Sequence, residues 1–389
     1  MSLGVCLITP IRILSSTLLY TKSDAHLVGE TPYKLGSHMN GSVKNMLARV
    51  LRHATLNSGP GSWIFVSRGK NRFFFSSAVA KQLPTSMRRY VRFGQGFNAI
   101  IRMVPAGNLL FRHAATRAFG ESAPILQLKF GEDCFALLGD DPRMVIVAGD
   151  TYAFKSKLSA QIAARSDLIV DVGANYGSFS RAAVSISSTI QPSVLAIEPN
   201  PRLHDALVAN LRHGGVKRFA VRQCALGAET SATHSFAVPS HSSGEGKAAD
   251  SAMMAREKGK IEDLHITVVS QETLDEQLER PEISRLNPET ASVFLKIDVE
   301  GAEAAVLEGG HEFLGRFRPA IYLEVNNAHT ALVGGDIQRV VASLMQHGYT
   351  DYVREGDSMR SPVRNLADEK GKKDVILTHP RSVVKHECA

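Results

Sequence analysis

The sequence is poor in cysteine and contains no long apolar run. Its four cysteines, in 389 residues, lie far apart and form no Cys-x-x-Cys pair, so a disulfide framework is not expected. No stretch of 18 apolar residues occurs, which argues against a membrane-spanning helix. Met1–Thr9 lacks the basic residues of a secretory signal, and Pro10 and Arg12 interrupt the apolar segment Leu3–Tyr20. We therefore expect a cytoplasmic protein with reduced thiols.

Charge is distributed unevenly along the chain. Residues 1–100 contain 13 lysines and arginines and two acidic residues, whereas the remaining 289 residues contain 32 basic and 36 acidic residues. This difference predicts two parts with different surfaces. We place a basic N-terminal region of uncertain fold at residues 1–120 and a second domain at residues 121–389. An amphipathic helix is expected from Val43 onwards, because apolar residues recur there at helical spacing.

An alternation of apolar strands and helices begins near residue 166. The predicted strands are Leu168–Gly173, Ser193–Glu198, Phe219–Cys224, Val293–Val299, Ala320–Val325 and Asp374–Thr378. Segments with apolar residues at helical spacing follow most of these strands. Strands that alternate with helices predict an α/β fold with a mostly parallel, doubly wound sheet. Residues 228–290 interrupt the alternation, and we expect a hairpin and loop insertion there.

The first candidate site is the turn after the first predicted strand, with the sequence Asp171-Val-Gly173-Ala-Asn175-Tyr-Gly177. Glycines allow a tight turn and a close approach of the backbone to a ligand. The Gly-x-Gly-x-x-Gly pattern of dinucleotide-binding folds is absent, and Asp171 would repel a pyrophosphate at the helix start. The turn therefore favours a cationic or zwitterionic ligand. A glycine turn that serves packing alone is the alternative.

The second candidate site is Glu198, which ends the next predicted strand 27 residues after Asp171 and precedes Pro199-Asn200-Pro201. A carboxylate at this position of a doubly wound sheet accepts hydrogen bonds from the hydroxyls of a ribose. A helix-capping carboxylate is the alternative. Together the two motifs indicate a nucleoside ligand without phosphates, and S-adenosylmethionine (SAM) is such a ligand.

The third candidate site contains three charged residues at alternating positions, Lys296, Asp298 and Glu300, at the end of a buried strand. Burial of charges is unfavourable unless they are paired or functional, so an ion pair is the alternative to a catalytic role. The two-residue period of a strand predicts that all three point to the same side. In a doubly wound sheet this strand is expected to neighbour the strand of Asp171, where ligands bind.

The motifs resemble those of the FkbM family of SAM-dependent methyltransferases. The matching segments are Val170–Gly177, Glu198–Asn200, Thr273–Asp275, Lys296–Glu303 and Val306–Gly309. The resemblance extends from about residue 167 to residue 326, with a further match at the late strand. It implies a class I, Rossmann-like methyltransferase fold. It also implies transfer of a methyl group, usually to a hydroxyl oxygen of a sugar, a polysaccharide end or a polyketide-like natural product.

The resemblance assigns roles to the candidate residues. It implies that SAM is the cofactor and that its methionine end is bound by Asp171, Gly173, Asn175 and Gly177. Glu198 is then expected to hold the ribose, with Asn200 nearby. Asp298 and Glu300, with Lys296, are expected to face the acceptor.

A catalytic base is needed because an alcohol must lose its proton during methyl transfer. We expect Asp298 to be this base, and His265 and His241 in the insertion are weaker candidates. No group of His, Cys, Asp or Glu has the sequence spacing of metal ligands, so the prediction is a metal-free enzyme with a small-molecule or glycan acceptor.

Two other functions are compatible with the sequence. A nicotinamide-dependent oxidoreductase would have the same sheet topology, but the missing glycine fingerprint argues against it. A binding protein could instead dock on an anionic surface through residues 43–92 and use the second domain as a scaffold. The basic residues of that segment include Arg68, Lys70, Arg72, Arg88, Arg89 and Arg92. Nucleic acid is not expected as a partner, and a solvated basic face is the simpler interpretation of this segment.

Overall fold

The computed structural model divides the chain into two compact units, Met1–Ile146 and Val147–Ala389. It describes residues 12–14, 17–19, 65–68, 70–73, 125–130, 133–138, 150–151, 153–188, 191–239, 247–248, 264–326, 330 and 336–383. The helix predicted from Val43 onwards lies outside these residues. The division predicted after residue 120 stays a prediction.

The described part of the first unit consists of three antiparallel strand pairs. Their strands are β1 (Arg12–Leu14), β2 (Thr17–Leu19), β3 (Phe65–Arg68), β4 (Lys70–Phe73), β5 (Ile125–Phe130) and β6 (Asp133–Leu138). Each strand pairs with the one next to it in sequence.

The second unit contains an eight-stranded sheet covered by helices. Its strands are β7 (Leu168–Val172), β8 (Ser193–Ile197), β9 (Phe219–Arg222), β14 (Val293–Ile297), β15 (Ala320–Val325), β16 (Asp351–Arg354), β17 (Arg360–Pro362) and β18 (Lys373–Leu377). The helices are α1 (Leu158–Ala163), α2 (Ser178–Ile186), α3 (His204–His213), α4 (Pro281–Ser284), α5 (Glu303–Glu308), α6 (His311–Phe317) and α7 (Ile337–Gln346). Short 3₁₀ segments lie at Pro201–Leu203, Asp275–Glu279 and Val363–Asp368.

The strand order confirms the predicted fold class. The sheet runs β17-β16-β18-β15-β14-β7-β8-β9, and the five strands from β15 to β9 are parallel. β18 lies antiparallel between β15 and β16. The order reverses between β7 and β14, and this is the switch point at which doubly wound folds bind ligands. The sheet is that of a class I methyltransferase fold.

The strands send alternate side chains into two separate cores, because successive residues of a strand face opposite sides. On β7, Leu168 and Val170 belong to one core and Ile169 belongs to the other. On β14, Leu295 and Phe294 are divided in the same way. Both faces of the parallel sheet are therefore buried, which explains why these strands appear in the sequence as continuous apolar runs.

The expected insertion is present as a small second sheet. Its strands are β10 (Ala225–Leu226), β11 (Ser231–Pro239), β12 (Lys247–Ala248) and β13 (Leu264–Glu272). β11 and β13 pair antiparallel over most of their length, which is the predicted hairpin. Among the described residues, no helix has the length and apolar character needed to cross a membrane.

Candidate functional site

Polar side chains occupy the carboxyl ends of four neighbouring parallel strands. On β7, Ile169 faces the second core, and Asp171, two residues later, points to the same side. The same relation holds between Phe294 and Lys296 on β14. The apolar stripe of this face is therefore continued by charged groups where the strands end, at the switch point of the sheet.

Glu198, directly after β8, connects the two candidate loops of the SAM site. Its Oε2 accepts a hydrogen bond from the backbone N–H of Asn175 at 2.8 Å, and its Oε1 accepts one from the backbone N–H of Asn200 at 2.9 Å. Glu198 is 7% exposed, and its burial raises its pKa from 4.5 to about 7 although both backbone N–H groups lower it. The structure therefore brings Glu198, Asn175 and Asn200 together at one point.

The turn after β7 requires backbone conformations that favour glycine. Gly173 and Gly177 have φ angles of +75° and +79°, and Asn175 has a φ of +53°. A Cβ at Gly173 would lie 2.0 Å from the backbone oxygen of Asp298, and one at Gly177 would lie 2.9 Å from Leu207 Cδ1. The glycines of this motif thus have a packing role in addition to the predicted contact with a ligand.

Asp171 and Lys296 form a buried ion pair across β7 and β14. The two residues are register partners, and Lys296 Nζ lies 3.1 Å from Asp171 Oδ1. Lys296 also donates a hydrogen bond to the carbonyl of Gly173 at 3.0 Å, and Ser180 Oγ donates one to Asp171 Oδ2 at 2.7 Å. Burial lowers the pKa of Lys296, but the charges of Asp171 and its neighbours outweigh burial and raise it. Lys296 is therefore charged.

Asp298 and Glu300 follow β14 in a turn. The predicted strand to Val299 is two residues too long, because the strand ends at Ile297 and Glu300 has a φ of +56°. The expectation that strand alternation would place Glu300 beside Asp298 does not hold for this reason. The turn brings the two carboxylates together nevertheless, and Asp298 Oδ2 lies 3.6 Å from Lys296 Nζ.

Glu324 at the end of β15 belongs to the same site, although the sequence analysis did not single it out. One oxygen from each carboxylate of Asp298, Glu300 and Glu324 lies within 4.8 Å of the others. We call these three residues the carboxylate cluster. Glu324 also forms an ion pair with Lys372, just before β18. A signal was present, because Glu324 is the single charge in the buried run Ala320–Val325.

Within the carboxylate cluster, the pKa values of Glu324 and Asp298 shift in opposite directions. Burial, together with the charge of Asp298, raises the pKa of Glu324 to about 9. Burial also opposes ionisation of Asp298, but the ammonium groups of Lys296 and Lys372 outweigh it and lower the pKa of Asp298. Of Asp298 and Glu324, Asp298 is therefore the residue that is ionised at neutral pH.

The two histidine candidates lie in the insertion, and one of them is among the described residues. His265 lies on β13 of the inserted sheet, and His241 lies outside the described residues. The cofactor-site candidates Asp171, Gly173, Asn175, Gly177, Glu198 and Asn200 all lie at the ends of β7 and β8. The acceptor-site candidates Lys296, Asp298 and Glu300 lie at the end of β14.

One protein-family model matches the part of the chain that contains these site residues. The model of the methyltransferase FkbM domain matches residues 171–350, a segment that contains every candidate residue of the cofactor and acceptor sites. The resemblance inferred from the motifs is thereby confirmed. No curated protein matches the chain.

Three of the similar solved structures are methyltransferases of low sequence identity. The methyltransferase FkbM of Methylobacillus flagellatus KT is 14% identical, with a TM-score of 0.34 over 77% of this chain and 56% of that one. An O-methyltransferase family protein of Burkholderia thailandensis is 10% identical, with a TM-score of 0.33 over 88% of this chain and 85% of that one. TYW2 of M. jannaschii, solved in complex with AdoMet, is 13% identical, with a TM-score of 0.29 over 66% of this chain and 84% of that one.

Proposed function

We propose that this chain, which carries a methyltransferase FkbM domain at residues 171–350, transfers the methyl group of SAM to a hydroxyl oxygen. The acceptor class that we propose is a sugar, a glycan or a related natural product. The observation that carries the proposal is Glu198, whose carboxylate is held at the carboxyl end of the parallel strands by the loops that follow β7 and β8.

Glu198 has the geometry of a ribose-binding carboxylate. An ionised carboxylate offers about four acceptor positions, and the two backbone N–H groups use one on each oxygen. The remaining positions suit the two adjacent hydroxyls of a ribose. A carboxylate here would repel a phosphate, so the site favours the adenosine part of SAM over a dinucleotide.

The neighbouring charges suit the other end of the cofactor. SAM supplies a methyl group that is already activated by a positively charged sulfur. The carboxylates of Asp171 and Asp298 both pair with Lys296, which also donates to the carbonyl of Gly173 in the loop where the methionine end is proposed to bind. We propose that Asp171 acts indirectly, because it is fully buried and holds Lys296 in place.

Asp298 is the proposed proton acceptor for the reacting hydroxyl. Its side chain is 28% exposed, whereas those of Lys296 and Glu324 are 4% and 2% exposed, so an acceptor can reach Asp298 from solvent. Lys296 and Lys372 keep this carboxylate ionised, as a base must be before it receives a proton. Most of the rate enhancement is expected from holding the hydroxyl in line with the methyl group.

Calorimetric titration of the purified chain with SAM and with S-adenosylhomocysteine tests the proposal. We expect micromolar binding of both adenosyl ligands and no binding of NAD. Glu198→Ala should weaken SAM binding by roughly 1.5–3 kcal/mol, or about one to two decades, because hydrogen bonds to a charged group are lost. Transfer of a labelled methyl group to sugar acceptors then tests the acceptor class.

Glu289→Ala is the matched control, since its side chain is 74% exposed and lies outside the site residues. It should bind SAM like the unaltered chain. Circular dichroism of Glu198→Ala establishes that the variant is folded. A folded Glu198→Ala variant with unchanged SAM affinity would remove Glu198 from this role, and a folded parent chain that binds neither adenosyl ligand would refute SAM dependence.

A further inference from the structure

We propose that Glu324 is a positioning residue that carries a proton on Oε1 and donates it in a hydrogen bond to Asp298. The shared proton rests on the side chains alone, whereas its role in methyl transfer rests on the proposed function. Glu324 lies at the end of the buried strand β15, and Asp298 lies in the turn after β14, the strand that pairs with β15. The sheet therefore places the two carboxyl groups side by side.

The contacts of Glu324 require a proton between these two groups. Lys372 pairs with Oε2 of Glu324, whereas the buried Oε1 receives no hydrogen bond among the described residues. The side chains of Glu324 and Asp298 nevertheless share a hydrogen bond. Two ionised carboxylates have no proton for such a bond, whereas a protonated carboxyl group is a donor. A proton on Oε1 of Glu324 therefore provides the donor that this bond needs.

Burial decides which of the two carboxyl groups holds the proton. The side chain of Glu324 is 2% exposed, whereas that of Asp298 is 28% exposed. A charged carboxylate loses more of its solvation at the more buried position. Burial, together with the charge of Asp298, outweighs the ammonium group of Lys372 and raises the pKa of Glu324 to about 9. Glu324 is thus the neutral acid and Asp298 is its ionised partner.

The other charged groups around Glu324 also favour its neutral form. They are Glu300 after β14, Lys296 on β14, and Lys372 and Asp374 at the start of β18. Lys296 pairs with Asp171 and Asp298, at 3.1 Å and 3.6 Å. Among the described residues, Lys372 is therefore the one ammonium group that pairs with Glu324, and the negative charges of Asp298 and Glu300 oppose its ionisation.

The shared proton determines where the proton of the acceptor goes in the proposed reaction. When the hydroxyl oxygen takes the methyl group and the sulfur keeps the electron pair of the broken bond, the hydroxyl proton passes to Asp298. Glu324 is already protonated, so it holds the carboxylate of Asp298 by the hydrogen bond and does not compete for this proton. Asp298 then releases the proton to water, because it is the more exposed of the two. Two carboxyl groups with separated pKa values take different roles in this way.

Infrared spectroscopy of the full chain tests the shared proton without SAM or an acceptor, because protonated and ionised carboxyl groups have separate stretching bands. At pH 8 the parent chain should show the band of a protonated carboxyl group, and Glu324→Gln should remove the contribution of Glu324. About nine-tenths of Glu324 is protonated at this pH. Glu198 and Glu303, whose pKa values burial raises to about 7, are about nine-tenths ionised. The control Glu289→Gln removes an exposed carboxylate and should leave the band unchanged.

The titration midpoint of this band should move in opposite directions in two further variants. Asp298→Asn removes a negative charge beside Glu324 and should lower the midpoint by about one pH unit or more. Lys372→Met removes a positive charge and should raise it. A band that Glu324→Gln leaves intact would overturn the shared proton. If Glu324→Gln does not fold, the two opposite shifts identify Glu324 as the source of the band, and a midpoint that neither variant moves overturns the proposal.

Methyl transfer tests the positioning role with a matched pair of variants. Glu324→Gln and Glu324→Met both introduce a neutral, unbranched side chain, but only the amide can donate a hydrogen bond to Asp298. In the labelled-methyl assay with sugar acceptors, kcat of Glu324→Met should be at least about tenfold below that of Glu324→Gln, because a base that is not held in place contributes less. Both variants should bind SAM equally. Equal kcat values for the two folded variants would overturn the positioning role.

The two measurements distinguish this proposal from the proposed function. A parent chain that shows the band but neither binds SAM nor transfers a methyl group would refute the proposed function and, with it, the role of Glu324 in the reaction. The shared proton itself would then stand. A parent chain that binds SAM and lacks the band would overturn the shared proton and leave the proposed function standing.

Discussion

Glu198 combines a structural and a binding role in one carboxylate. It receives backbone N–H groups from Asn175 and Asn200, so it fixes the two loops relative to each other. Burial raises its pKa to about 7, because a charged carboxylate is less well solvated there than in water. The charge state of this single residue therefore changes within the physiological pH range.

The affinity for SAM should depend on pH through Glu198. The ionised carboxylate accepts hydrogen bonds from the ribose, so affinity should fall as pH falls through about 7. Between pH 8 and pH 6 the ionised fraction drops from about nine-tenths to one-tenth, which predicts about tenfold weaker binding. Titration calorimetry at pH 6, 7 and 8 measures this change.

Glu198→Gln is the control for the pH dependence, because glutamine keeps the shape and does not titrate. The ratio of wild-type to variant affinity removes the contribution of the amino group of SAM itself. A constant ratio over pH 6–8 would contradict the assignment.

The stability of the ligand-free protein should depend on pH in the opposite direction. Because the pKa of Glu198 is raised in the folded state, the free energy of unfolding should decrease as pH rises from 4.5 towards 7.

At the scale of elements, the turn after β7 and the end of β14 form one unit. The backbone N–H of Asp298 donates to the carbonyl of Val172, and Lys296 donates to the carbonyl of Gly173. A side chain at Gly173 would collide with the backbone of Asp298. The glycine therefore fixes the distance between the proposed cofactor loop and the proposed acceptor residue.

Gly173→Ala should be much more destabilising than Gly215→Ala. Both glycines have nearly the same left-handed φ, +75° and +74°, but a Cβ at Gly215 meets nothing within 4 Å. Gly215→Ala should therefore lower the free energy of unfolding by the conformational penalty alone, roughly 1–2 kcal/mol. Gly173→Ala should lower it by at least about 2 kcal/mol more, because it also collides with backbone.

Urea denaturation of both variants measures the difference. Equal losses would mean that the turn moves away from β14 without resistance, and that Gly173 does not set the spacing of the site. The m-value should stay unchanged for both variants if the compactness of the two end states is unaffected.

The sequence predicted most elements because each one carries a local signal. β15 was predicted with its exact bounds, since Ala320–Val325 is a continuous apolar run apart from one charge. The end of β14 was not predicted correctly. The chain departs from strand geometry through the positive φ angles of Glu300 and Gly301, and residue type alone does not determine these angles. Glu324 is the one charge in the run of β15, but it was missed because its partners follow β14 and precede β18, and only the folded sheet brings them together.

At the scale of the whole molecule, the alternation of strands and helices was sufficient to predict the sheet and its switch point. The parallel pairing of β7 with β14, which places Asp171 opposite Lys296, was expected from the fold class. The proposed docking of the basic segment 43–92 on an anionic surface stays a prediction, since only the strands β3 and β4 of that segment are among the described residues.

Residues 147–389 should fold and bind SAM without the first unit. The two large apolar clusters that cover the faces of the main sheet consist only of residues from this unit, as do all candidate site residues. A domain with its own core is expected to unfold cooperatively on its own. We therefore expect the fragment to give a single thermal transition and a SAM dissociation constant within about threefold of that of the full chain, because no proposed cofactor contact is removed. Calorimetry of both proteins provides the measurement. A folded fragment that binds SAM more than tenfold more weakly would show that the N-terminal unit contributes to the cofactor site.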